Sequence, residues 1–166
     1  ECPVKAIRII NGQAEVISER CIGCGNCVVV CSQQAKVYVN QIRQVQEILS
    51  SSENVVALVA PSFPAEFQEF SDYRVLVGMI KALGFRSVLE VSFGADLVAA
   101  QYKKLIEESS EYYITSDCPS IVNYIKYYHP GLVGNLAPIV SPMVAMSRVV
   151  RSKYGNNVNV VFIGPC

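Results

Sequence analysis

The feature that most constrains this chain is a run of closely spaced cysteines near its start, Cys21-Ile22-Gly23-Cys24-Gly25-Asn26-Cys27-Val28-Val29-Val30-Cys31, preceded by Cys2-Pro3. Steps of two residues between thiols let a backbone wrap a small inorganic cube so that three thiolates reach three irons. Gly23 and Gly25 can take positive φ and turn backbone N–H groups towards the sulfides. The spacing C-x2-C-x2-C-x3-C is that of a 4Fe–4S ligand run. Two other uses of cysteine compete with it. Disulfides are rare in the reducing cytosol, and structural zinc takes pairs of cysteines, which one run of four fits poorly.

The run resembles that of bacterial ferredoxins, in which the fourth cysteine of each run ligates the other cluster. That resemblance implies one 4Fe–4S cluster on Cys2, Cys21, Cys24 and Cys27. It leaves Cys31 for a second cluster whose other ligands would precede residue 1, so the chain reads as a fragment. Two short β-type segments, 6–10 and 14–17, flank Asn11-Gly12, a strong hairpin signal. A short helix carrying Cys31 is expected after Cys27. A helical stretch over 41–49 runs into Ser50-Ser51-Ser52, a polar break that suggests a domain boundary.

Beyond the break the pattern changes. Residues 55–60 (VVALVA) form a continuous apolar run ending at Pro61, as a strand buried on both faces would. Helical pattern follows over 64–70 and 73–83, with Gly84 in the position of a helix-terminating glycine. Strands are predicted over 87–91, 112–114 and 157–163, and helices over 95–108, 119–128 and 142–154. Strands separated by helices of this length imply a parallel sheet covered by helices. The expected fold class is therefore α/β: a ferredoxin-like iron–sulfur domain over 1–50, N-terminally incomplete, followed by a parallel-sheet α/β domain over 53–166. A hydrophobic share of 51% in 166 residues supplies ample core. Zero formal net charge gives no sign of a nucleic-acid partner or an anionic membrane surface. No apolar run nears the roughly 20 residues of a spanning helix, so a cytoplasmic location is the expectation.

The remaining cysteines fall in loops expected at the carboxyl ends of strands, where open α/β sheets bind ligands. Cys118 precedes Pro119, a favourable first helical residue, so its thiol would sit at a helix N-terminus that favours the thiolate. Cys166 follows an apolar strand and Gly164-Pro165. Each could instead be a buried cysteine acting as a small hydrophobe, a reading weakened by their pairing with a ferredoxin-like run.

These segments resemble iron-only (di-iron) hydrogenases. Thr115-Ser116-Asp117-Cys118-Pro119 is similar to the family motif T-S-C-C-P, and Phe162-Ile163-Gly164-Pro165-Cys166 to the start of M-P-C-x-x-K. Phe93-Gly94-Ala95-Asp96-Leu97 is similar to the F-G/A-A-D-L segment. The resemblance implies a partial hydrogenase-type catalytic domain, with Cys118 and Cys166 as ligands of an active-site 4Fe–4S cubane. In that family the cubane is joined to a di-iron centre to form the H-cluster, which interconverts protons and H2. The other cubane ligands would follow residue 166.

Two positions depart from the family pattern. Where the family has its proton-donating cysteine this chain has Asp117, and an unperturbed Asp (about 3.9) is a poor substitute for a Cys (about 8.5) as a donor at neutral pH. Where the family has the first acid of a proton relay, this chain has Gln101. Such changes resemble the sensory or regulatory branch of the family. The leading expectation is electron transfer through 4Fe–4S clusters to an H-cluster with slow H2 turnover and Asp117 at the donor position, served by a ferredoxin-like redox partner. The alternatives are an H2 or redox sensor with a downstream signalling domain, or a bare iron–sulfur protein in electron transfer or cluster trafficking. Ordinary roles suffice for His129 at a helix end, Asp96 at a helix start, Met143 and the Lys103, Lys104, Glu107, Glu108 set.

Overall fold

The computed structural model describes residues 2–69 and 72–165. In chain order the elements are β1 (Ile7–Ile10), β2 (Gln13–Val16), α1 (Asn26–Val29), α2 (Ile42–Ser51), β3 (Val55–Val59), α3 (Phe63–Glu66) and α4 (Tyr73–Ala82). Then come β4 (Ser87–Glu90), α5 (Ser92–Glu108), α6 (Pro119–Tyr128), a 3-10 helix (Pro130–Asn135), α7 (Pro142–Tyr154) and β5 (Asn159–Ile163). The family-level expectation of a mixed α/β chain with a parallel sheet is met. Packing gathers these elements into two units: residues 1–40 with 112–138, and residues 41–111 with 139–166. This partition differs from a linear boundary at residue 50.

In the first unit, Asn11 and Gly12 both take positive φ, 50° and 77°. That is the backbone a two-residue primed turn requires, and it sets the antiparallel register from Ile7↔Val16 to Ile10↔Gln13. Helix α1 is a single turn. Cys31 lies past its end instead of on it, because the turn closes with the Val30 N–H on the Asn26 carbonyl. The buried centre of the unit is small: Val4, Ala6 and Ile22, with Cys2, Cys21 and Tyr128 packed against them.

In the second unit, every residue of β3 is buried. It is the middle strand of a three-stranded parallel sheet ordered β4-β3-β5. Alternate residues feed opposite cores. Val55, Ala57 and Val59 face Leu76 and Ile80 of α4 together with Val45, Ile48 and Leu49 of α2. Val56 and Leu58 face Met146 and Val150 of α7. The period of two along a strand makes this division.

The structure corrects three further expectations. Residues 112–114 form no sheet strand: Ile114 makes one isolated parallel bridge to Leu136, with Tyr112 90% exposed. The 64–70 stretch does not run on into the next helix. It forms the four-residue α3, and α4 starts afresh where the Asp72 carboxylate accepts the Arg74 N–H at 2.9 Å. Phe70, the end of that expected stretch, lies outside the described residues. Residues 92–94, expected to lie between a strand ending at 91 and a helix starting at 95, are already helical, because α5 begins at Ser92 immediately after Val91. Gly94 makes that early start possible: a Cβ there would stand 2.4 Å from the Pro142 carbonyl oxygen and 2.6 Å from Met146 Cγ. Among the described residues no helix is long and apolar enough to cross a membrane.

Candidate metal centre

Four of the sequence-predicted ligands meet in the first unit. Cys2, Cys21, Cys24 and Cys27 line one pocket, together with Val4, Ala6, Ile7, Val16 and Ile22. Two chain segments on either side of the hairpin supply the thiols, as β1 and β2 carry the backbone out and back between them. The loop holding Cys21, Cys24 and Cys27 has Gly23 and Gly25 at φ 74° and 75°. These left-handed residues turn the backbone twice within a few positions, which an L side chain resists.

Backbone N–H groups point at the sulfurs. The Ala6 N–H donates to Cys2 Sγ at 3.2 Å, and the Gly23 N–H to Cys21 Sγ at 3.4 Å. Burial pushes the Cys2 thiol up, but the N–H groups of Ala6, Val4 and Lys5 outweigh it and hold the thiol below its ordinary value. The described cysteines are all free thiols, so disulfides do not account for them. Among the described residues no three His, Cys, Asp or Glu side chains close around a single metal ion. The four cysteines instead line one pocket together with aliphatic side chains. That donor set, all sulfur with N–H bonds to it, fits a 4Fe–4S cluster.

Cys31 is not among the residues lining that pocket. It is half-buried, and its sulfur accepts the Ala35 N–H at 3.3 Å. That N–H, acting against desolvation and helped by those of Gln33, Lys36 and Gln34, holds the thiol below its usual value.

Cys118 is the N-cap residue of α6, with Pro119 following it in the first turn. The residue is exposed. The Ile121 N–H is the main influence lowering its thiol; desolvation opposes it, Ser120 adds to it, and the Asp117 charge raises the thiol slightly. The expected helix N-terminus is therefore present, although the segment before it is an isolated bridge and not the end of a sheet strand. Asp117 is half-buried, and its Oδ1 is shut from solvent without a hydrogen-bond partner. Next to it the Ser116 hydroxyl donates to the Ala137 carbonyl at 2.8 Å. Cys166 lies outside the described residues. Gln101 and Asp96 are exposed on α5. His129 is exposed and within 3.1 Å of the Tyr124 hydroxyl at the end of α6. Met143 is half-buried on α7.

Nothing in the sequence singles out Tyr128 or Asn123. Yet the Tyr128 hydroxyl lies 2.8 Å from the Arg20 carbonyl and 3.3 Å from that of Val4, and Asn123 Nδ2 donates to the Ile22 carbonyl at 3.5 Å. No local pattern marks either residue, because their partners are about a hundred positions away. A larger apolar hollow of about 750 Å³ lies between α4 and β4 in the second unit and holds none of the cysteines.

Comparison with known proteins agrees with this chemistry. Residues 14–36 match the 4Fe-4S binding domain, and residues 53–166 match the iron only hydrogenase large subunit, C-terminal domain. The NADP-reducing hydrogenase subunit HndD of Solidesulfovibrio fructosivorans is 26% identical over 88% of this chain and 29% of its own length. The nuclear prelamin A recognition factor of Xenopus laevis is 22% identical over 93% of this chain and 40% of its own. Over 35 residues, 21% of this chain and 13% of the relative, a component of the ion-translocating oxidoreductase complex of Methanosarcina acetivorans is 49% identical. The chain thus spans well under half the length of each of these relatives. With a 4Fe–4S binding domain at 14–36 and more than half its length in the hydrogenase match, the chain belongs to the iron-only hydrogenase large-subunit family.

Proposed function

We propose that this chain is the electron-transfer module and the first part of the catalytic domain of an iron-only hydrogenase-like oxidoreductase. In this reading Cys2, Cys21, Cys24 and Cys27 hold one 4Fe–4S cluster and Cys31 serves a second. Cys118 and Cys166 are ligands of the H-cluster cubane. The observation that carries the reading is that four cysteines from two segments line one pocket. When bound, the clusters supply one-electron transfer, and the H-cluster reversible interconversion of protons and H2.

The chain's own residues have distinct tasks. The Ala6 and Gly23 N–H groups offset thiolate charge at Cys2 and Cys21. Val4, Ala6 and Ile22 keep water from one side of the pocket. Cys118 presents its thiolate at a helix N-terminus, where backbone N–H groups favour negative charge. For the H-cluster, the fit among the described residues rests on this thiol and on the buried Asp117 Oδ1 beside it. Asp117 stands at the family's proton-donor position and makes turnover slow, with Gln101 in place of the first relay acid.

A sensing role is the second reading. The departures from the family pattern at Asp117 and Gln101 favour it. The test is Asp117→Cys in the matured full-length protein. It is expected to raise H2 evolution by a factor on the order of 10²–10⁴, the usual worth of a positioned general acid. Infrared carbonyl and cyanide bands in the unaltered protein are expected under both readings. Their absence after maturation leaves the bare iron–sulfur role.

A further inference from the structure

The four-cysteine pocket has a wall that ferredoxin-type spacing does not supply. Helix α6 lies in the same packed unit as the pocket, though it is distant in sequence. Tyr128, at the end of α6, packs with Cys2 and Cys21 against Val4, Ala6 and Ile22. Its hydroxyl has one proton and two carbonyls within reach, Arg20 at 2.8 Å and Val4 at 3.3 Å. Arg20 immediately precedes Cys21, and Val4 is two residues beyond Cys2. The Arg20 guanidinium closes the group by donating to the same Val4 carbonyl at 3.4 Å. Nearer the start of the helix, Asn123 reaches the carbonyl of Ile22, between Cys21 and Gly23.

We propose that α6, through Tyr128 and Asn123, positions the four-cysteine centre: it ties the segment bearing Cys2 to the loop bearing Cys21 and sets the centre's exposure and hydrogen bonding. The assignment rests on the reading that these four cysteines hold a 4Fe–4S cluster. Tyr128 touches no iron, so it acts through the carbonyls that orient the ligand-bearing backbone. Such outer partners typically change metal affinity by about 10- to 100-fold when removed. Exposure and hydrogen bonding around the sulfurs set the reduction potential of iron–sulfur clusters. Helix α6 also carries Cys118 at its other end. The ten-residue helix is about 15 Å long, so one rigid element fixes how far Cys118 stands from Tyr128. Tyr124 stacks on Tyr128 with ring centroids 5.6 Å apart and stiffens the anchored end.

The experiment uses the whole chain, loaded anaerobically with iron and sulfide, and compares Tyr128→Phe with Tyr127→Phe, an exposed tyrosine on the same helix. Expected for Tyr128→Phe are cluster loss to an iron chelator about 10-fold faster or more, a shifted midpoint potential and an altered electron paramagnetic resonance spectrum of the reduced cluster. Tyr127→Phe should match the unaltered chain in all three. If Tyr128→Phe does not fold, Asn123→Ala takes its place, with faster loss and a shifted potential expected. A potential and loss rate equal to those of the unaltered chain, in whichever variant is measured, overturn the positioning role while leaving the cluster reading intact. An unaltered chain that takes up no 4Fe–4S cluster overturns both.

Discussion

A cysteine binds iron as a thiolate, so what surrounds each sulfur decides its use. At Cys2 the N–H groups of Ala6, Val4 and Lys5 together outweigh the cost of burial, and at Cys21 a left-handed Gly23 turns its own N–H back onto the sulfur. Replacing Cys24, whose thiol lines the same pocket, removes one of four ligands. Cys24→Ala is expected to abolish the 4Fe–4S absorption of the reconstituted chain. Cys118→Ala, at the helix end, is expected to leave it in place, and ultraviolet–visible spectra of the two variants side by side check this. A different residue-scale constraint acts at Gly94. With the Pro142 carbonyl 2.4 Å and Met146 Cγ 2.6 Å from where a Cβ would go, Gly94→Ala overpacks the α5–α7 contact. It should destabilise the chain by about 1–3 kcal/mol, despite alanine's better helix propensity, as read by chemical denaturation. Legibility differs sharply between these positions. The cysteines announce themselves by spacing, whereas Gly94 falls just outside the helix predicted from residue 95, and its reason for being glycine is a neighbour nearly fifty residues away.

At the scale of elements, two helices of the second unit begin on side-chain caps. Ser141 accepts the Val144 N–H at 3.4 Å at the start of α7, and Asp72 accepts the Arg74 N–H at the start of α4. The Arg74 guanidinium beside Asp72, with the Arg74 N–H, holds the Asp72 carboxyl below the usual carboxylate range. A carboxyl lowered on folding stabilises the fold above its unfolded pKa, and that contribution fades as pH falls through the lowered folded value. The unaltered chain should therefore melt higher than Asp72→Ala at pH 7. The gap should close as the medium is made more acidic than the ordinary carboxylate range, in thermal melts at a series of pH values. Helices and buried strands such as β3 are legible because their patterns repeat within a few residues. The 112–114 segment has the look of a strand because three apolar or aromatic residues satisfy the pattern. Pairing decides the matter, and Ile114 finds only Leu136.

For the whole molecule, the consequential fact is that one packed unit is built from two separated stretches, 1–40 and 112–138. A fragment of residues 1–50 contains every thiol of the four-cysteine pocket but lacks Tyr128 and Asn123. It is expected to assemble a 4Fe–4S cluster and to lose it to a chelator faster than the full chain does, which the bleaching rate at visible wavelengths measures. The sequence by itself determined the chemistry. Cysteine spacing, the Asn11-Gly12 turn and the apolar run of β3 are local codes, written within the few residues over which backbone geometry acts. From them came the iron–sulfur chemistry and the parallel sheet, while the family likeness rests on the short motifs at 93–97, 115–119 and 162–166. Only the tertiary structure decided what stands around those codes: the closeness of α6 to the Cys2 and Cys21 segments, the start of α5 against α7, and the absence of a sheet strand before Cys118. Contacts between residues a hundred positions apart depend on how the whole chain buries its apolar surface, and no short stretch of sequence records that.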